Sequence, residues 1–168
     1  MIGGLAVGAS LLLAVELLTV LQGVQGREAA AEALRALPAG VRVSGRVRVR
    51  GRGRPVVADH VVVGPSGDGW AVMVDGSTRP ARMNDPFDGL RPLLGDAKRT
   101  ASAVQEAARL GLLDQTGLCV GASVRPAILV ARRPLVAGER DGVLAFAAAD
   151  AANALAGVRP TAGVRPET

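Results

Sequence analysis

Three acidic residues carry the chemistry this chain could do. Asp59 sits inside the apolar run VVADHVVV (56–63), and a carboxylate there needs a hydrogen-bond or charge partner. It is either held by backbone N–H groups at a strand end or it serves a site. Asp75 closes WAVMVD (70–75) before Gly76, as a turn residue or as a second functional carboxylate. Glu28 lies in QGREAAAEALRAL (25–37), where it suits the first turn of a helix or faces a ligand. His60, the only histidine, alternates away from Asp59 along the strand, as a core or supporting side chain would. Arg46, Arg48 and Arg50 share one face at a spacing of two and can follow phosphates or meet anionic lipid. Cys119, between Leu118 and Val120, reads as a small buried hydrophobe.

Composition narrows these options. One cysteine and one histidine exclude a disulfide framework, a multi-cysteine zinc site and a His-rich metal site, so any metal must rest mainly on carboxylates. Aromatic residues are 2% of the chain, with no tyrosine, which argues against base stacking on aromatic platforms. The 168 residues suit one domain, and 49% apolar content suffices for a core. The net charge of +5 is almost wholly arginine, Lys98 being the single lysine. It fits polyanion binding, or codon drift in a GC-rich genome.

The elements that must position these residues follow from periodicity. Gln25–Leu37 is expected as a helix, stopped by Pro38-Ala39-Gly40. Val41–Val49 alternates as a half-exposed strand, and Val56–Val63 reads as a buried one. The turn at Gly64–Gly69 joins the latter to a strand at Trp70–Asp75 as a hairpin. After an irregular stretch from Gly76 to Pro92, Ala97–Leu113 is expected as an amphipathic helix with Ala101, Val104, Ala108 and Leu112 on one side. Val124–Ala131 is a strand whose Pro126 confines its start to an edge or entry position, Gly142–Ala147 is the last strand, and Asp150 opens a short helix through Leu155. The sum is an α/β fold with a mixed central sheet flanked by helices.

Residues 2–24 form an apolar run broken by one charge, Glu16; the run is long enough to cross a bilayer core of about 30 Å, while a mid-span carboxylate also suits a buried helix packed on the domain. Arginines cluster after it, which directs the following domain to the cytoplasmic side. The expected division is a membrane anchor at 1–24, an α/β domain at 25–156 and a disordered tail at 157–168 that repeats GVRP.

The run GRGRPVVADHVVVGPSG (51–67), preceded by GREAAAEALRALPAGVRV (26–43) and followed by VRPAILVARRPL (124–135), resembles the nuclease-related domain family, known as NERD. That family is placed with the PD-(D/E)xK nucleases of restriction-endonuclease-like fold. The resemblance implies Mg²⁺-dependent phosphodiester hydrolysis. Asp59 then stands at the first acidic position and Asp75 at the second, both as metal ligands, with Glu28 (or Glu32) as the glutamate of the opening helix. The family's acidic-x-Lys is Asp75-Gly76-Ser77 here, so its cation is missing, and an alternative register puts Val74 at the acidic site. Arg79 or Arg82 is a candidate replacement.

The expectation is therefore a membrane-anchored, catalytically impaired nuclease-related domain of the cell membrane. It would bind DNA through Arg46, Arg48, Arg50, Arg52 and Arg54, and Mg²⁺ only if active. Two alternatives stand beside it: an active Mg²⁺-dependent endonuclease with a relocated cation, and a non-enzymatic membrane-proximal interaction module.

Overall fold

The computed structural model describes residues 20, 21, 23–50, 54–77, 87 and 89–155. Most of the apolar N-terminal run, Arg52, Arg79, Arg82 and the 157–168 tail fall outside them. A first helix, α1, covers 23–35, with 20 and 21 also helical, close to the expected Gln25–Leu37. Among the described residues eight strands follow in chain order: β1 (Arg42–Ser44), β2 (Val47–Arg50), β3 (Pro55–Ala58), β4 (His60–Val63), β5 (Gly69–Asp75), β6 (Val124–Val130), β7 (Gly138–Arg140) and β8 (Val143–Ala147). Helix α2 (Arg91–Arg109) lies between β5 and β6, and α3 (Ala151–Leu155) follows β8.

Six strands make one mixed sheet in the order β1-β4-β5-β6-β8-β7. β1, β4 and β5 are antiparallel neighbours, and β6 runs parallel to both β5 and β8. Strand alternation sends Val62, Trp70, Val72, Ala127 and Leu129 to one face, where Ala30 and Leu34 of α1 and Ala151 and Leu155 of α3 cover them. On the other face Val61, Val63 and Ala71 meet Ala101, Val104 and Ala108 of α2. Ile128, Val130, Val143 and Ala145 meet Leu94 and Ala97 of the same helix. Helices thus flank a central mixed sheet, as the residue pattern predicts.

Where the strands differ from expectation, the difference makes the site. Val41–Val49 is not one strand and neither is Val56–Val63. β2 and β3 pair with each other as a separate two-stranded ribbon, Val47 opposite Ala58 and Arg50 opposite Pro55. Together β1–β2 and β3–β4 form one long hairpin bent at Gly45-Arg46 on one arm and at Asp59 on the other. Past the bend the ribbon folds onto α2, where Val49 and Ala58 join the core. Gly45 has open space where a Cβ would sit, so the bend is not crowded there.

Three smaller corrections have local causes, and the expectation for Pro126 holds. α2 begins at Arg91 rather than Ala97, because Pro92 in its first turn is preorganised for a helix start without a side-chain cap. It stops at Arg109, before Gly111 at φ +69°, so Leu112 lies beyond the helix and is exposed. β6 is an interior strand, yet β8 pairs with it only from Ala127 onward, so the missing N–H of Pro126 falls at an entry position. Cys119 is exposed rather than buried, because it sits in the turns after Gly117 instead of on a strand.

Candidate functional site

The bend of the long hairpin and the first turns of α1 enclose an open cleft of about 350 Å³. Helix periodicity brings Arg27, Ala31 and Arg35, four residues apart, to one stripe of α1, with Glu28 beside them. Val24 closes the same side, and Arg46, Asp59 and His60 reach in from the bend. Two of the three acidic residues singled out from the sequence, Glu28 and Asp59, therefore line one cleft.

The third does not join them. Asp75 continues the face of β5 that carries Ala71 and Met73, which pack on the α2 side. Its Oδ1 accepts from the Ser77 N–H at 3.0 Å and its Oδ2 from the Ser77 hydroxyl at 3.0 Å. Arg133, whose side chain is 5% exposed, places Nη2 3.7 Å from Oδ2. Sequence reasoning missed Arg133. It follows a buried strand within Arg132-Arg133, and only a search for a partner to Asp75 would have singled it out.

Asp59 keeps one oxygen close to the backbone: its Oδ2 accepts the Val74 N–H at 2.9 Å. That bond ties the bend to the end of β5 and supplies the partner that a half-buried carboxylate requires. Val74 and Val72 face α1, so the cleft side of β5 presents valines and then Gly76. At Gly76 the helix itself arrives: a Cβ built on buried Gly26 would lie 2.7 Å from the Gly76 Cα. Backbone against backbone fills the place where a cation two residues beyond Val74 would extend.

His60 is half-buried, and burial pushes its imidazole below the usual histidine range, against the raising pull of the Asp59 charge and the Ser44 backbone. Its Nδ1 is buried without a hydrogen-bond partner. Arg48, Arg50 and Arg54 are exposed on the ribbon, while Val47 and Val49 of the same strand pack toward the core. Glu32 is exposed and lies outside the cleft lining.

These donors do not fit a carboxylate-held divalent ion of the kind the resemblance implies. Glu28 and Asp59 share the cleft with three guanidinium groups, Asp75 is held elsewhere, and no group of three His, Cys, Asp or Glu side chains forms among the described residues. The arrangement suits an anion instead, because arginine presents a rigid fork of donors to phosphate oxygens. Comparison with protein-family models, with curated proteins and with solved structures finds no match for this chain.

Proposed function

We propose that this chain is a membrane-anchored, nuclease-related domain that no longer cleaves and that holds nucleic acid through its ribbon arginines. The observation that carries the reading is the separation of its acidic residues. Glu28 and Asp59 share the bend cleft, but Asp75 faces the other side of the sheet against Arg133. The restriction-endonuclease-like fold is supported by the order of the elements: an opening helix whose Glu28 lines the same cleft as Asp59, at the start of one hairpin strand, with the second apolar strand beside it. Anchoring in the cell membrane, with the domain on the cytoplasmic side, is supported by the apolar run at 2–24 and the arginines after it. Among the described residues no helix is long and apolar enough to cross a membrane, and most of that run lies outside them.

Nucleic-acid binding rests on the ribbon arginines Arg48, Arg50 and Arg54, all exposed, with Arg52 of the same loop outside the described residues, while Arg46 lies at the bend and lines the cleft instead. With no aromatic side chain among them to stack bases, these arginines at alternate positions would follow phosphates along the backbone. The test is to incubate the full chain, in mild detergent, with plasmid DNA and Mg²⁺ or Mn²⁺. The expected outcome is retention of intact DNA that weakens steeply with salt. Cleavage that disappears in Asp59→Ala would establish an active nuclease with a relocated cation. Absence of both cleavage and retention would leave a membrane-proximal interaction module.

A further inference from the structure

We infer that the bend cleft takes the phosphate of an anionic lipid headgroup at a membrane surface. The inference rests on the anchored reading above, and it assigns the cleft a ligand distinct from the nucleic acid given to the ribbon.

The cleft joins two kinds of surface. Its floor and walls carry Arg27, Arg35 and Arg46, which can approach one phosphate from the helix and from the bend. Its mouth on the N-terminal side is apolar: Val24 lines it, and Val20, Leu21 and Val24 are 61%, 47% and 40% exposed on the same helix. Large aliphatic side chains leading directly into a cluster of arginines suit the boundary where acyl chains meet headgroups, with apolar groups inserted and cations at the phosphate level. Arg27 follows Val24 by less than one helical turn, and its guanidinium leans back toward the N-terminus, with Nη2 3.9 Å from where a Cβ on Gly23 would sit, so cation and aliphatic side chains adjoin at the mouth.

A nucleic-acid strand fits this cleft poorly. A strand needs a continuous cationic track, whereas here the track ends on the exposed aliphatic side chains. Glu28 and Asp59 flank the cations and would repel a second phosphate, which limits the cleft to one anionic group. His60 stays largely neutral near pH 7 and offers hydrogen bonding rather than charge.

The test uses the full chain with vesicles of phosphatidylcholine alone or with a quarter phosphatidic acid, some of it photo-activatable. Co-sedimentation reads the anchor, and mass spectrometry of cross-linked peptides reads the cleft. Labelling by phosphatidic acid is expected within residues 24–60 and is expected to fall by about fivefold for each of Arg27→Gln and Arg46→Gln. Arg99→Gln, an exposed charge on α2, should leave labelling unchanged. Failure to sediment with either vesicle would overturn the anchored reading, and the inference with it. Sedimentation with labelling that ignores Arg27 and Arg46, or that a DNA oligonucleotide displaces, would overturn the inference alone.

Discussion

Among individual residues, the Asp75–Arg133 pair has the largest consequences. Both side chains are almost enclosed, and the Nε and Nη1 groups of Arg133 have no acceptor. Removing one partner strands the other charge, which typically costs 3–5 kcal/mol, whereas an apolar pair of similar volume is often neutral. Asp75→Ala is therefore expected to lower stability by about 3 kcal/mol, and Asp75→Leu with Arg133→Met to recover most of it. Urea midpoints of the two variants against the parent check this.

His60 gives a second prediction at this scale. Its folded pKa lies below 6.5, so the unfolded chain binds the proton first as pH falls. Its contribution to stability is intact above about pH 6.5, declines as pH drops toward the folded value, and then levels off. Because His60 is the only histidine, the melting temperature is expected to fall between pH 7.5 and 5 in the parent and to stay nearly flat in His60→Gln. A parent with no slope in that window would refute this.

At the scale of elements, α1 meets the residue after β5 backbone to backbone, at Gly26 and Gly76. Gly→Ala inside a helix normally stabilises by about 1 kcal/mol. At Gly23 that rule should hold, since among the described residues a Cβ there meets the Arg27 Nη2 at an ordinary 3.9 Å. At Gly26 the added carbon would strike the Gly76 backbone, and Gly26→Ala is expected to destabilise by about 1–3 kcal/mol. Thermal melts of the two alanine variants should shift in opposite directions.

The elements were largely legible because their apolar periods were clean: α1, the β4–β5 hairpin, β6 and β8 lie where alternation and helical spacing put them. The bend was not legible. Val41–Val49 keeps its period of two straight through Gly45, and period alone cannot say that a strand changes sheets. β7 was missed because Gly138–Arg140 is short and polar, and its only strand signal is its partner β8. Asp75 was half legible: counting alternate residues from Val72 sends it away from α1, whereas the family resemblance set it beside Asp59 as a second acidic position.

For the molecule as a whole, charge and sheet are distributed so that two cationic surfaces lie on either side of one hairpin bend. Arg48, Arg50 and Arg54 lie on the ribbon beyond the bend, and Arg27 and Arg35 lie on α1 before it. Each phosphate contact contributes about −0.9 to the slope of log affinity for duplex DNA against log salt. The double variant Arg48→Gln with Arg50→Gln is thus expected to flatten that slope by about two in filter-binding titrations of the full chain. The cleft as a surface was not legible in sequence, because Arg46, Glu28 and Asp59 come from three segments that only the folded topology brings together.

The parallel joint between β5 and β6 has a temporal consequence. β1, β4 and β5 find their partners among near neighbours in the chain, while β6 reaches β5 only after all of α2 and the turns beyond it have been made. Pairings between distant segments form slowly. During synthesis β5 therefore waits with one side unmatched, and its open row of N–H and C=O groups, flanked by apolar side chains, is the place where another nascent copy would first stick.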